Sequence, residues 1–272
     1  MRNDDLRELR EVPQRTSRLA YRGQAPAATE GRPSRREDGS VMLPPTNFAE
    51  TSPAARAWMH AAAHEYSSIA SFAELSLTLM ALGAPTELIA RSQQAGLDEV
   101  AHFEICTAIS REFGAAVVAE PPAMPELAGR AISRDVDYQS VALAALRDGV
   151  LGEGFAVARL REGCLHATRA TRRRLEQLAA DEETHVELAS DVIAWCVDVV
   201  GPELAASLRL AADLIPESIF MSADLADVPE AHAAAAGLCT APAFDRLWRE
   251  TRAMAGSQLE AALADAGIPA PA

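Results

Sequence analysis

The 272-residue sequence contains no lysine, and all 25 of its basic residues are arginine. That usage reads as genome composition rather than function. Positive charge is in short supply altogether: 39 acidic residues leave a net charge of -14. A phosphate ladder needs a basic face, so a chain this acidic argues against a nucleic-acid-binding role. Aromatic residues make up only 5%. Alanine and leucine supply the apolar content instead, a mix that favours helix over sheet. The four cysteines, Cys106, Cys164, Cys196 and Cys239, include no CxxC pair. This argues against a rubredoxin-like metal knuckle and for free thiols in a reducing cytoplasm. No apolar run approaches the roughly 18 residues of a membrane span, so no membrane partner is expected. The first residues, MRNDDLRELREVPQR, lack the apolar stretch of a secretory signal and carry acids that disfavour a mitochondrial one. A cytoplasmic location is the expectation.

Residues 1–50 are rich in Arg, Pro, Gly and acids and read as a disordered leader. Order is expected to begin at TSPAARAW, where Ser52 suits an N-cap and Pro53 the first helical position. A first helix then runs to about Leu82, and Gly83-Ala84-Pro85 ends it and starts a second that closes near Gly114. Residues 115–135 hold three prolines and read as a long connection. A third helix is expected over about 136–166 and a fourth over about 169–200. Shorter helices follow at about 202–214, 229–237 and 242–266. The plan is all-α: a four-helix bundle of two hairpins with one long crossover over 51–200, and a helical extension over 201–272. The extension is expected to cover an open side of the bundle or to form a homodimer contact.

One pattern occurs twice. DEVAH (98–102) and DEETH (181–185) both read Asp-Glu-x-x-His, each in the middle of a long expected helix. Chance placement of 24 Glu and 6 His gives about half of one Glu-x-x-His in a chain of this length. At i, i+3 the two side chains share a helix face and can reach one metal ion. Further ligands must come from the hairpin partners at the same height. Glu65 lies about 18 residues before the first turn and Glu99 about 15 after it, nearly level at about 1.5 Å per residue. Glu74 misses by roughly 9 Å and faces the opposite side of its helix. In the second hairpin Glu153 is about 15 residues before the turn at Thr168 and Glu182 about 14 after it, whereas Glu162 is too close to the turn. The set is Glu65, Glu99, His102, Glu153, Glu182 and His185. Its four carboxylates would balance two divalent cations, and burying them uncompensated would be very costly. Core-like neighbours, among them Ile69, Phe72, Ala95, Phe103, Leu178 and Ala189, argue against a solvated face.

This ligand pattern resembles the ferritin-like di-iron carboxylate superfamily, in which two helices each give one Glu and two others each give an ExxH. The runs EYSSIASFAELSL and DGVLGEGFAVA are similar to helices 1 and 3 of bacterial ferritin-like-domain proteins. The resemblance covers about residues 53–200. It implies that Glu99 and Glu182 bridge two metal ions, with Glu65 and His102 on one and Glu153 and His185 on the other. It also implies that Asp98 supports His185 and Asp181 supports His102, since a metal-bound imidazole usually donates its other N–H to an acceptor. Several oxygenase and ribonucleotide-reductase relatives read DExRH. Ala101 and Thr184 stand where that arginine would be, which weakens a transfer of their electron-transfer chemistry.

The implied cofactor is a pair of iron ions, or Mn/Fe or Mn/Mn in the same ligands. The leading expectation is an oxidase or oxygenase in which Glu65, Glu99, Glu153 and Glu182 serve the reaction. Its partners would be O2 or peroxide, an electron donor and a small organic substrate. The alternatives are iron handling or peroxide defence (a ferroxidase, a rubrerythrin-like peroxidase or a manganese catalase) and a non-enzymatic helical binding protein. Gly149, Gly152 and Gly154 flank Glu153, where they would open space for a substrate or allow close helix packing. His60 and His64 form an i, i+4 pair off this face. Tyr66 and Tyr138 are candidates for proton or radical relay, or plain packing.

Overall fold

A computed structural model of the protein describes residues 51–115, 137–221 and 223–270. The leader over 1–50 and nearly all of the proline-rich connection lie outside the described residues. Among those described the chain is all-α, without a strand.

Helix α1 spans Pro53–Leu82 and α2 spans Thr86–Glu112. The start of α1 follows from its cap: Ser52 Oγ accepts the Ala55 N–H at 3.2 Å, and Pro53 sits where no donor is needed. Its end follows from Gly83, which takes the left-handed conformation at φ 73°. The N–H of Ala84 then turns back onto the Leu79 carbonyl at 2.9 Å. The two helices pack along their length as a hairpin. A Ser76–Ser92 hydroxyl contact of 2.6 Å and an edge-on Tyr66–Phe103 pair join them.

The second hairpin starts with α3, Tyr138–Ala144, and continues without a break through a π-helical segment, Ala145–Glu153, into α4, Gly154–Cys164. The helix expected over 136–166 is therefore present but not uniform. Helix α5, Arg169–Val200, is capped by Thr168 Oγ1, which accepts the Thr171 N–H at 3.3 Å. Gly201, at φ 94°, ends it, and Pro202 opens α6, Pro202–Asp213. Then come α7 (Ala223–Ala226), α8 (Glu230–Ala235) and α9 (Ala241–Asp265). Only α7, a single turn, had no counterpart in the sequence reading.

Helix α5 is the centre of the packing, against α2 on one side, α4 and the π segment on another, and α9 on a third. One apolar cluster joins Leu146 and Val150 to Leu188, Val192 and Ile193 of α5, and to Leu204, Phe244 and Trp248 of the C-terminal helices. A second, smaller cluster joins Trp58, Cys106, Ile109, Leu175 and Leu178. Fully burying each large side chain contributes about 1.5–3 kcal/mol. The indole N–H of Trp248 donates to the Pro216 carbonyl at 2.9 Å, and that of Trp58 to Ala236 at 3.0 Å, tying the C-terminal segment down. No described helix is long and apolar enough to cross a membrane.

The two clusters meet the long helices at different heights, and this sets the stage for the acids. On α1, Trp58 and Phe72 belong to different clusters, with Glu65 midway. On α2, Glu99 falls between Ala95 and Cys106 in the same way, and on α5 Glu182 falls between Leu178 and Leu188. The polar residues form one layer across three helices and the end of the π segment.

Candidate metal centre

Four members of this layer are buried: Glu99, His102, Glu182 and His185 are each at most 2% exposed. Glu65 and Glu153 are half-buried. Ligating atoms of Glu65, Glu99, His102 and Glu182 all lie within 4.8 Å of one another, and so do those of Glu99, Glu153, Glu182 and His185. Glu99 and Glu182 belong to both groups. All six residues singled out in the sequence are thus brought together. Glu74 is exposed, and Glu162 pairs with Arg246 at 2.8 Å.

The histidines show how the layer is built. Both turn Nδ1 inward. His102 Nδ1 stands 3.4 Å from Glu182 and 3.7 Å from Glu99. His185 Nδ1 stands 2.9 Å from Glu182 and 3.4 Å from Glu99. Both turn Nε2 outward to the aspartate of the opposite motif, 3.3 Å from His102 to Asp181 and 3.5 Å from His185 to Asp98. These are the crossed pairs that the resemblance implied. An N–H held on Nε2 by a carboxylate, as at His102, leaves the Nδ1 lone pair free for a cation; His185 Nε2 lies near Asp98 without a hydrogen bond to it.

The electrostatics follow from burial and crowding. Burial pushes the carboxyls of Glu65 and Glu153 well above the ordinary range, and the charges of neighbouring glutamates push the same way. Burial also works against charge on Glu182, but the two imidazoles beside it, 2.9 and 3.4 Å away, outweigh it and hold the carboxyl at about 2. The same contacts overcome the desolvation of the imidazoles and raise His102 to about 11 and His185 to about 9. Protons therefore sit where positive charge is needed. The balance is incomplete, because both oxygens of Glu99, Nδ1 of His102 and Nε2 of His185 are buried without a hydrogen-bond partner. Leaving such groups unmade costs about 1–3 kcal/mol each, and more when charged. Clustered carboxylate oxygens and imidazole nitrogens, some of them without a hydrogen bond, fit a hard or borderline divalent cation that would displace the imidazole protons. The cluster could hold a metal ion.

The other residues singled out do not join it. The rings of His60 and His64 lie 5.0 Å apart, tilted by 49°, with His64 exposed. Tyr138 donates to the Leu82 carbonyl at 3.2 Å, a packing role. A Cβ on Gly149 would stand 2.3 Å from Cβ of Ala189, so this glycine serves close helix packing rather than open space. Gly154 faces Thr251 of α9, and Gly152 is exposed. Two features escaped the sequence reading. The π segment ends at Glu153 itself, and three glycines inside or beside one helical stretch were its only signal. Cys106, fully buried, places its thiol 3.8 Å from Glu65 Oε1. Its position four residues after His102 was the available signal. Burial, and then the nearby glutamate charges, push that thiol well above its ordinary range, so it is a donor here.

Comparison of the chain with protein-family profiles, curated proteins and solved structures finds no match.

Proposed function

We propose that the protein is a ferritin-like four-helix bundle holding two iron ions, and that it reacts with O2 or peroxide at that centre. The carrying observation is the buried, unpartnered Glu99 shared with Glu182 between two groups of donor atoms. Glu65 and His102 would complete one ion's ligands and Glu153 and His185 the other's. Iron, or manganese in the same ligands, would supply the electrons for reducing a dioxygen species.

The chain's own contribution is arrangement. Asp98 and Asp181 orient the imidazoles from outside. Glu182 and Glu99 hold the two halves together. The apolar clusters above and below exclude water, which strengthens every charge interaction within. Glu65 and Glu153, whose carboxyls resist ionisation, keep protons at the edge of the site. On the leading reading the site would also require an electron donor and a small organic substrate to oxidise. A specific observation favours the second reading, iron handling or peroxide defence. Gly149 is spent on packing against Ala189 and does not widen the site.

Elemental analysis of the purified full chain tests the common core of both readings. About two iron or manganese ions per chain is the result expected, and none refutes both. Mixing the Fe(II) protein with O2 in a stopped-flow instrument, and with peroxide under an oxygen electrode, separates them.

A further inference from the structure

The repeat in this sequence is longer than its ligands. After Asp-Glu-x-x-His, both copies continue through an exposed Glu, Glu104 and Glu187, and a branched aliphatic residue, Ile105 and Leu188. The chemistry parts at the next position, which is Cys106 in α2 and Ala189 in α5. Each lies four residues past its histidine and so one turn along the same face. Both are buried. Ala189 uses its methyl to pack against Gly149. Cys106 instead directs its S–H to Glu65 Oε1 at 3.8 Å. Alanine has no donor, so the Glu153 half of the layer has no equivalent at this place.

The target of that thiol is itself part of an unfinished group. Glu65 shares a 4.8 Å donor set with Glu99, His102 and Glu182, and within that set Glu99 is 1% exposed with neither oxygen hydrogen-bonded. Cys106 is outside the set. It therefore acts on a ligand and is not one.

We propose that Cys106 is a positioning residue that orients Glu65 and makes the two halves of the centre unequal, the Glu65–His102 half gaining metal affinity from its thiol. This rests on the metal-binding reading above. A carboxylate that gives one oxygen to a cation is fixed in direction by a hydrogen bond on the other. Such outer partners are worth about 10–100-fold in metal affinity. A thiol is a weak donor, which places the effect toward the lower end of that range.

The experiment titrates the metal-free full chain with Mn(II), counting the free ion by its electron paramagnetic resonance signal. Wild type is compared with Cys106→Ser, which keeps a donor, and with Cys106→Ala and Cys106→Val, which do not. Circular dichroism checks that each variant is helical, and the valine variant guards against a cavity left by alanine. Two ions are expected in wild type. Loss of the donor is expected to weaken one of them about tenfold and leave the other within about twofold, with serine restoring most of the loss. Donor-free variants that titrate like wild type overturn the proposal alone, as does an equal loss of both ions in all three variants. A wild-type chain that binds no manganese overturns the metal reading and this proposal with it.

Discussion

Replacing Glu99 with methionine should change the stability of the protein in opposite directions with and without metal. Glu99 is 1% exposed, and neither oxygen has a hydrogen-bond partner. It stands 3.4 and 3.7 Å from the two imidazoles, but Glu182 stands closer to both, at 2.9 and 3.4 Å. Removing Glu99 from the metal-free protein therefore leaves each histidine its nearer partner, and it relieves a buried carboxylate whose oxygens make no hydrogen bond. Exchanging buried ionic groups for well-packed apolar ones is often neutral to stabilising by about 1–4 kcal/mol, and an imidazole left short of a carboxylate can shed its proton instead of remaining charged. With the histidine contacts partly lost, the lower half of that range applies, about 1–2 kcal/mol. At roughly 2–4 °C per kcal/mol for a chain somewhat smaller than this one, the melting temperature in chelator should rise by about 2–8 °C. Metal reverses the order. An ion at 100 times its dissociation constant stabilises the native state by about 2.7 kcal/mol, and two independent ions by about twice that. Wild type should gain on the order of 10 °C or more when Mn(II) is added, and the variant should gain little. The assay is a pair of thermal melts followed by circular dichroism, one in chelator and one in excess Mn(II). A variant less stable than wild type in chelator, with an undiminished shift on adding metal, would refute the reasoning. It would mean that Glu99 is satisfied in the metal-free state and is no metal ligand.

Three further outcomes are expected. The folded values of His185 and His102, about 9 and about 11, lie above the ordinary 6.5. Their pairing with Glu182 thus contributes fully below about pH 6.5 and is lost as pH rises through 9 and then 11. Melts of the metal-free protein between pH 6 and 10 should show falling stability, and a flat profile would contradict the pairing. Asp181→Asn and Asp98→Asn, which remove an acceptor charge behind an imidazole, should each weaken Mn(II) binding by about 10–100-fold with little change in the chelator melt. Gly149→Ala should destabilise the protein by about 1–3 kcal/mol in urea unfolding, because its Cβ would meet that of Ala189 at 2.3 Å and overpacking outweighs the gain in helix propensity.

How far the sequence was legible depends on which helical coordinate a residue's role required. Height along a helix is robust, because each residue adds about 1.5 Å and an error of one or two residues moves a ligand by less than one side chain's reach. Counting from the turns at Gly83 and Thr168 was therefore enough to level Glu65 with Glu99 and Glu153 with Glu182, and the first of those turns could be read from Gly83 directly. Direction around the helix is fragile, because one residue is worth about 100°. On α1 this coordinate could be used, and it separated Glu65 from Glu74, because the helix is regular. On the third helix it could not. The π segment over Ala145–Glu153 widens the turn and shifts the facing of the residues beyond it. Along and just beyond it Gly149 sits against Ala189 and Gly154 against Thr251, tertiary contacts that no periodicity encodes. Glu153 was selected on height alone, the coordinate that a π turn hardly changes.

The same distinction explains why Cys106 was missed. The five-residue repeat draws attention to identities, and identities mark what both halves of the layer share. Helix geometry carries the comparison one turn beyond the histidines, where the residues differ. There α5 turns its methyl to the glycine beneath the Glu153 half, and α2 turns a thiol to Glu65. Packing and polar contact cannot both be met by one small side chain at that position. If Ala189 were a cysteine, its sulfur would have to fit beside a glycine whose own Cβ would already be too close, so the donor is available to only one half. The asymmetry is thus a consequence of how tightly the π segment is seated on α5. Loosening that contact, and not only deleting the thiol, should bring the two halves closer to equal.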